Sequence, residues 1–495
     1  MTDSNRLRIS LVREATAGAT PGSPVMRVGR ITGESLGAQP QFTSSNEIRS
    51  DRMSADPIKV NEETRGGINF ELSFPEDRSF LSELLSSAMY SLWTNTPQHW
   101  NDGTADSVIT DVTGASGTFT VVDQSGSGGF AGTAYRVGHL VRSTGFAAAA
   151  NNTIHRVTSS TATTVVVGVG AGLTNDAAPA AAARLKVIGL QGASADITAT
   201  ATGLGSTALD FTTMGLTVGQ HIKIGDASNT NFQFANAANN GWARVTAIAA
   251  TALTLDNLPS GWAVDAGTGR TIRVFFGDLI RNGTTDVPLS VERSFLAQAT
   301  PTHIIHRGVQ AGGLSLDFSS GSVITGSVDL MGLSTAPGTV ANGASYVPAT
   351  TATVMSANQD VGRIAEAGAV VTGPNFIRRL QLALNNNTRM ITAVGTVGAV
   401  GTGEGEAAVT GTLETYFGST ALLTKLIAGT PTSFSARSAK NNQAILVQVP
   451  RATLTSGSPN AGGKNQDVML PSSFQASIDA LTNAHLVIER VEYFN

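Results

Sequence analysis

Residues 67–93, GINFELSFPEDRSFLSELLSSAMYSLW, change from a strand pattern to a helix pattern. In its first eight residues apolar and polar side chains alternate, which is the period of a β-strand with one buried face. After the Pro75-Glu76-Asp77 segment the apolar residues take helical spacing, and acidic residues and serine stand where the helix dipole favours them. The sequence therefore predicts a strand over 67–74 and an amphipathic helix that begins at Phe80.

Two later segments, 314–318 and 408–417, repeat the strand pattern, and a second helix pattern covers about 419–428. One sheet face covered by a helix would bury the apolar members of these elements. The candidate core residues of the sheet are Ile68, Phe70, Leu72, Phe74, Leu314, Leu316, Phe318, Val409, Leu413 and Phe417. The candidate core residues of the first helix are Phe80, Leu81, Leu84, Leu85, Ala88, Met89, Leu92 and Trp93.

Composition indicates a mainly β protein of several domains. The chain has 495 residues, which is more than one ordinary domain uses, and 41% of them are apolar. Its 54 glycines, with abundant Thr, Ser and Val, are typical of short strands joined by tight turns. Cysteine is absent, so packing or assembly must provide the stability that disulfides give elsewhere.

Charge and hydropathy exclude several classes of partner. The net charge is −4, and no run of Lys and Arg forms the basic patch of a phosphate-gripping protein. No stretch has the eighteen or so continuous apolar residues of a membrane span. Residues 1–13 lack the continuous apolar core of a signal peptide. We therefore expect synthesis in the cytoplasm and no membrane partner.

A change in acid usage divides the chain. Between Glu83 and Glu292 there is no glutamate, whereas glutamate is frequent on both sides. This shift predicts a discontinuous core domain, made of residues 1–100 and 277–495, that is interrupted by inserted material.

The inserted material contains an internal repeat of two modules, 108–189 and 190–276. The segment Asn151-Asn152-Thr-Ile-His-Arg-Val-Thr returns as Asn239-Asn240-Gly-Trp-Ala-Arg-Val-Thr, and three other matches follow in the same order. Each module is predicted to be a small β-barrel or sandwich, with a hairpin turn at the Asn-Asn pair. Surface decoration is one interpretation of these modules, and sugar binding or adhesion is the other.

A search for chemistry finds no catalytic, metal or cofactor site. His303 and His306 are the close histidine pair, but residues three apart on a strand point to opposite faces and cannot share a metal. The motifs HExxH, GxSxG and the Walker loop are missing. The glycine clusters 168–172 and 401–405 do not lie between a strand and a helix, so we interpret them as loops.

The flanking segments resemble the tail tube proteins of long-tailed, siphovirus-type phages. The first matching stretch, 27–93, contains Ser45-Asn-Glu-Ile-Arg-Ser-Asp-Arg52, the strand and the helix opening Pro-Glu-Asp. The second, 289–332, begins Leu-Ser-Val-Glu-Arg, and the third is the strand 409–417 with its following helix. These motifs stand in the family's order and cover about 300 residues, whereas the insertion departs from the family pattern.

The resemblance implies a β-sandwich with a flanking α-helix, hexameric rings closed edge to edge, and rings stacked into a hollow, non-contractile tube. Phage DNA would pass through the lumen without sequence-specific binding. The implied partners are the protein itself, a tape-measure protein, a tail terminator and a distal tail or hub protein. The implied location is the tail of the virion.

Two other classes of function remain open at this point. A tail fibre or surface adhesin built of β-modules would bind host glycans through the insertion. An enzyme acting on cell-wall sugars would need paired carboxylates in a groove, and the insertion contains no glutamate.

Overall fold

The computed structural model describes residues 6–101, 108–121, 135–371 and 374–493, and strands dominate these ranges. Two α-helices are found in them. The predicted mainly β fold is confirmed. Before the insertion, the elements are β1 (Leu7–Arg13), β2 (Val25–Val28), β3 (Gly33–Glu34), β4 (Gly37–Thr43), β5 (Ile58–Glu71) and α1 (Phe80–Met89).

The strands of the insertion follow. They are β6 (Gln98–Trp100), β7 (Ile109–Thr113), β8 (Thr118–Val121), β9 (His139–Thr144), β10 (Ile154–Arg156), β11 (Ser159–Ser160), β12 (Thr164–Val166), β13 (Arg184–Gln191), β14 (Thr198–Thr200), β15 (Gly203–Gly205), β16 (His221–Ile224), β17 (Trp242–Ala249), β18 (Ala252–Asp256) and β19 (Arg273–Phe275). Residues 102–107, just before the first predicted module, and residues 122–134, within it, lie outside the described residues.

The remaining elements complete the core. They are β20 (Asp278–Arg281), β21 (Leu289–Phe295), β22 (Thr302–Ser319), β23 (Thr325–Gly332), β24 (Ser334–Gly338), β25 (Ser345–Val347), β26 (Val361–Glu366), β27 (Ala369–Val370), β28 (Ile377–Asn385), β29 (Arg389–Thr392), β30 (Ala399–Gly403), β31 (Ala408–Tyr416), α2 (Ala421–Ala428), β32 (Thr432–Lys440), β33 (Gln443–Gly457), β34 (Asn460–Ala461), β35 (Val468–Ala476) and β36 (Val487–Glu492).

Helix α1 is shorter than its apolar pattern. It begins after Ser79, whose hydroxyl accepts a 3.3 Å hydrogen bond from the N–H of Ser82. It ends at Tyr90, which takes a left-handed conformation with φ 47°. Leu92 therefore lies beyond the helix and is 47% exposed, so its prediction as a core residue is wrong. Trp93 also follows the helix but is buried, and its Nε1 donates to the Ser82 carbonyl at 3.1 Å.

The strands on either side of the insertion belong to one twenty-stranded sheet that contains the same pairing order twice. Repeat A (residues 7–93 and 278–338) pairs its strands in the order β1-β21-β22-β23-β5-β4. Repeat B (residues 361–492) pairs them in the order β26-β32-β33-β35-β31-β28. The strands also follow each other along the chain in the same succession, and α1 and α2 occupy the same place in it.

Irregularities in the two ladders coincide as well. The β22–β23 ladder has a bulge between Ala311 and Gly313, and the β33–β35 ladder has one between Leu454 and Ser456. Strand β24 is added to the first half of β22 as β36 is added to the first half of β33. Repeats A and B are therefore two copies of one β-unit, which the sequence analysis did not foresee.

The two predicted modules of the insertion also show one pairing pattern twice. In the first module β7 pairs β8, β8 pairs β12, and β9 pairs both β10 and β13. In the second, β14 pairs β15, β15 pairs β18, and β16 pairs both β17 and β19. Strands β13 and β19 join the modules by an antiparallel ladder, and a single cluster of buried side chains runs through both.

The repeated asparagines have matching structural roles. The side chain of Asn151 donates to the carbonyl of Thr174 at 2.9 Å and accepts from its N–H at 2.8 Å. Asn239 makes the same pair of bonds with Ala263, at 2.8 and 3.0 Å. Each asparagine thus satisfies both backbone groups of one residue in a distant loop.

The second asparagine of each pair closes its own loop. Asn152 accepts from the N–H of Phe146 and donates to its carbonyl, both at 2.8 Å, and Asn240 does so with Phe234 at 2.8 and 3.0 Å. Each Asn-Asn pair lies in the connection of an antiparallel hairpin, β9–β10 or β16–β17, as predicted, but the two connections are longer than tight turns. The pairs end short 3₁₀ turns inside longer loops, where their side chains replace backbone partners.

The insertion is fixed to the core by buried charges. Asp77 bonds Arg184 at 2.8 Å and Lys186 at 2.7 Å, both on β13 of the insertion, and it also bonds Arg490 on β36. Asp278 accepts from Arg490 at 2.7 Å and from Lys186. We call these five residues the junction cluster. It joins repeat A, repeat B and the insertion at one point.

Neighbouring positive charges lower the pKa of two carboxyl groups in this region, those of Asp77 and Glu492. Burial alone would raise the pKa of Asp77, but the positive charges of Arg490, Lys186 and Arg184 outweigh it and place the pKa well below its usual range. The pKa of Glu492 is lowered in the same way, against its burial, by Arg184 and Arg142.

An apolar contact supplements the charges. Trp242 packs edge-on against Tyr493, with ring centroids 5.4 Å apart, so this tryptophan is buried between the insertion and repeat B. The insertion contributes Leu140, Ile188, Trp242 and Phe275 to this cluster, and repeat B contributes Ala444, Leu446, Val491 and Tyr493.

Replacing Asp77 by Asn should destabilise the protein strongly. Removing one partner from a buried ion cluster typically costs about 3–5 kcal/mol, because the remaining charges stay buried without compensation. Urea denaturation at neutral pH, followed by tryptophan fluorescence, measures the loss of unfolding free energy.

The contribution of Asp77 to the free energy of unfolding should depend on pH. Because the folded pKa of Asp77 is lowered, its stabilisation is present above the unfolded pKa of about 3.9 and is lost as pH falls further. Asp77→Asn should remove part of this acid sensitivity. The exposed Asp51→Asn is the matched control and should leave stability unchanged. Equal stability of the two variants would contradict a structural role for the junction cluster.

Candidate assembly surfaces

The predicted site residues lie in the interior and shape the surfaces indirectly. All the candidate sheet residues are buried except Phe417, which is half-buried, lies one residue beyond β31 and packs against the same apolar cluster. The candidate helix residues belong to that cluster too, apart from the exposed Leu92. They pack α1 against β22 and so hold in place the strands that carry the exposed surfaces of the protein.

Two projecting hairpins carry exposed apolar side chains. Arm A (residues 39–63) is formed by the distal parts of β4 and β5, and arm B (residues 386–407) contains β29 and β30. At their tips Ile48 is 102% exposed and Val394 is 106% exposed. The other exposed large apolar residues of the arms are Phe42, Met53, Ile58, Val60, Ile391, Val397 and Val400.

Both arms leave the sheet at the same end. Arg65, at the base of arm A, pairs with Met331, which in turn pairs with Gln310 on β22. Asn385, at the base of arm B, pairs with Gly313 of the same strand. The apolar tips therefore project from one end of both repeats, and concentrations of exposed apolar surface mark interaction sites.

Repeats A and B are joined by a backbone ladder. Strand β28 of repeat B pairs antiparallel with β22 of repeat A over seven residues, from Gly313↔Asn385 to Ser319↔Arg379. The side chain of Arg379 also forms an ion pair with Asp317 across this junction. The second half of β22 consequently has a strand on each side, β23 and β28.

The corresponding strands at the two outer ends have only one neighbour. Among the described residues β4 pairs with β5 alone, and its residues after Gly37 are exposed. Within the same part of the chain, β33 beyond Ala452 and its continuation β34 pair with β35 alone. Each of these edges leaves a row of backbone N–H and C=O groups available to another strand.

The base of arm B carries a pair of interacting carboxyl groups. Burial raises the pKa of Glu404 to about 7, and the nearby carboxylate of Asp286 acts in the same direction. A fall in pH through this value removes one of two neighbouring negative charges, so the electrostatics of arm B change near neutral pH.

The histidines singled out in the sequence have separate partners. Nδ1 of His303 lies 2.9 Å from Ser294 Oγ, and Nδ1 of His306 lies 2.9 Å from Thr335 Oγ1. In the ranges that the structure describes, no three side chains of His, Asp or Glu are grouped as a metal site would require. Neither α1 nor α2 is long and apolar enough to cross a membrane.

Sequence reasoning missed the arms and the duplication. The first half of β5 shows no alternation because neither of its faces is buried, so the predicted strand began nine residues too late. One signal of the duplication was visible, since an alternating strand is followed by a helix both at 67–89 and at 408–428.

Comparison with known proteins gives the family. The family model described as "Phage tail tube protein" matches residues 4–258 and residues 257–476, which is most of the chain. None of the curated proteins gives a significant match. The duplicated β-unit, its open edges and its apolar arms are features of a self-assembling structural protein, and the chain belongs to the phage tail tube protein family.

Proposed function

We propose that the protein forms closed rings that stack into a non-contractile tail tube, through which the phage genome is delivered. The observation that carries this proposal is the pair of open edges, β4 at one end of the sheet and β33–β34 at the other. Different edges at opposite ends make a head-to-tail contact, and such contacts produce rings when their rotation closes. The sequence resemblance implies hexameric rings, and because each chain of this protein contains two β-units, we propose six β-units per ring.

The arms provide the contact between rings. Their apolar tips stand at one end of each repeat, so in a ring they form a crown on one face. Burying apolar area stabilises contacts by roughly 25 cal/mol per Å². Contacts between these apolar tips and the next ring would stabilise the stack without a covalent link.

The lumen is proposed to let DNA slide. The net charge of −4 and the absence of a basic run disfavour a lining that grips phosphate. We further propose that the tube forms around a tape-measure protein and ends at a tail terminator and at a distal tail or hub protein. Synthesis in the host cytoplasm belongs to the same proposal.

The insertion is proposed to decorate the outside of the tube. It is fixed through the junction cluster, β36 and the first half of β33, and these contacts leave both open edges uncovered. A module of ~85 residues is roughly 30 Å across, and two per chain would collide with a contractile sheath. A sheathless tail follows from this placement.

Purified protein should assemble into hollow tubes at high concentration. Negative-stain electron microscopy would show stacked rings with a central lumen. Particles that remain single chains at all concentrations and ionic strengths would contradict the proposed function.

Charges at the arm tips should separate ring formation from stacking. Ile48→Asp combined with Val394→Asp puts carboxylates into the proposed inter-ring contact, where their burial without partners is unfavourable. We expect rings but at least tenfold fewer tubes by electron microscopy. Val264→Asp, which changes an exposed valine in the insertion, is the control and should leave tube yield unchanged. Normal tubes from the double variant would refute the role of the arms.

A cysteine in the insertion should remain accessible in assembled tubes. The chain contains no cysteine, so Ala177→Cys, at an exposed position of the insertion, gives a single labelling site. A maleimide on a 5-kDa polymer should react with tubes and with dissociated protein at similar rates. Protection of Cys by assembly would show that the insertion does not lie on the exterior.

A further inference from the structure

The position of the arms determines where their partner surface lies. In a stack of rings that all point the same way, one face of each ring contacts the opposite face of the next ring. Both arms leave the sheet at the same end, so in the proposed stack their tips meet the other end of a second copy. The surface that receives the tips therefore lies at the end of the sheet that is remote from the arms.

Strand β5 and helix α1 identify this remote end. Strand β5 runs from arm A to Glu71, which pairs with Thr325 at the far end of β23. The chain then turns into α1, whose last turn returns to the base of arm B, where the carbonyl of Ala88 accepts a hydrogen bond from Asn386 Nδ2 at 2.9 Å. The start of α1 consequently lies at the end of the repeat that is remote from both arms.

A crevice of about 460 Å³ lies at the start of α1, between the core and the insertion, and we call it the α1 crevice. Its lining is largely apolar and comes from both parts of the protein. The core contributes side chains from β2, α1 and β25, and the insertion contributes β6 and the loop before β13. Apolar residues of the lining include Val28, Phe80, Val347, Trp100, Ala181 and Ala182.

Trp100 gives the insertion a fixed aromatic surface in this crevice. Its ring is half-buried, and the guanidinium carbon of Arg184 lies 4.6 Å from the ring centroid. The indole Nε1 donates to Gln98 Oε1 at 3.2 Å. Because Arg184 also belongs to the junction cluster, the ion pairs that fix the insertion on the core also orient this ring. The rest of the ring surface can contact an apolar partner.

Charge indicates which of the two arms matches the α1 crevice. Residues of both signs surround the apolar lining, namely Arg27, Arg30, Arg78, Glu71 and Glu76. The tip of arm A also carries both signs, with four charged residues in 47–52, whereas residues 390–403 of arm B contain none. A charged tip that docks on an uncharged surface loses hydration without compensation. The tip of arm A therefore has the better complement in this crevice.

We propose that the α1 crevice receives the tip of arm A, with Ile48 at its apex, from a copy of this protein in the next ring. The insertion thus completes the stacking contact through Trp100, in addition to decorating the tube. Ile48 is 102% exposed and Val347 is 37% exposed in the single chain, so both gain burial from the contact. This inference rests on the stacking of rings in the proposed function.

Chemical crosslinking in assembled protein tests the contact. The chain has no cysteine, so Ile48→Cys with Val347→Cys places one thiol on the tip of arm A and one in the crevice. A bismaleimide should link tubes of this variant into covalent multimers without an upper limit, because the contact repeats from ring to ring. Val394→Cys with Val347→Cys, which moves the first thiol to the tip of arm B, is the matched control. This control and each single variant should stay monomeric on a denaturing gel.

Filling the crevice should weaken stacking while rings still form. Ala182 is exposed at the crevice, and Ala182→Trp adds a large side chain there without removing a contact. We expect about tenfold fewer tubes by electron microscopy, the order of effect of losing one central apolar contact. Ala177→Trp, at an exposed position of the insertion outside the crevice, is the control and should leave the number of tubes unchanged.

The outcomes separate this inference from the proposed function. Wild-type protein that never forms tubes would contradict the proposed function. Normal tubes that give no multimers with the Ile48 and Val347 thiols would overturn the crevice contact and leave the tube function standing. Multimers from the Val394 control would overturn the assignment to arm A, and normal tubes from Ala182→Trp would overturn the part taken by the insertion.

Discussion

The ladder between β22 and β28 holds the two halves of the core together. A strand in the middle of a sheet must satisfy backbone groups on both of its sides. The second half of β22 does so with β23 on one side and β28 on the other, and this joins two β-units into a single sheet. This internal ladder pairs β22 of repeat A with β28 of repeat B. The equivalent strands of the other repeat, β33 and β4, carry the two open outer edges. After duplication of the β-unit, the strands at the centre of the sheet are paired on both sides, whereas the strands at its two outer ends are paired on one side.

The junction cluster solves a different problem, which is how to orient an insertion of more than 170 residues on this core. Burying five charges is expensive in desolvation, and apolar residues of the same volume often give equal or greater stability. Ionic contacts, however, have strict geometry. Asp77, Lys186 and Arg490 come from distant parts of the chain and meet at only one relative placement of insertion and core. We interpret the cluster as a device for orientation, while the apolar contact around Trp242 contributes adhesion.

Sequence patterns predicted those elements in which buried and exposed residues alternate at regular spacing. Alternation over 67–74 and 314–318 identified buried faces because one side of each strand packs against α1 or the opposing strands. It failed at Leu92, where the left-handed residue Tyr90 interrupts the helical spacing without changing the apolar pattern. The Asn-Asn pairs do lie in hairpin connections, but the sequence did not show that Asn151 and Asn239 bond distant loops, because no local pattern records such contacts.

The duplication was hidden for a physical reason. A backbone ladder places few demands on side chains, so corresponding positions carry unlike residues: Ala311 matches Leu454, and Leu314 matches Gly457. The second difference follows from neighbours. Leu314 is buried in the apolar cluster of the core, whereas Gly457 is half-buried and lies on an edge that is open in the single chain. Equivalent backbone positions of the two repeats therefore have different surroundings, and they carry different residue types.

In the proposed tube, the division between polar edges and apolar arms would give each contact between chains the property that it needs. Ring closure requires a fixed angle and register, and backbone hydrogen bonds provide both because their geometry is directional. Stacking of one ring on another must tolerate the bending of a long tube, and apolar contacts permit this because they depend on buried area more than on direction. Exposed apolar residues are accordingly concentrated at tips such as Ile48 and Val394, whereas the edge residues Gln39 and Ser456 are polar. A chain with the opposite arrangement would stack with poor register and close its rings at variable angles.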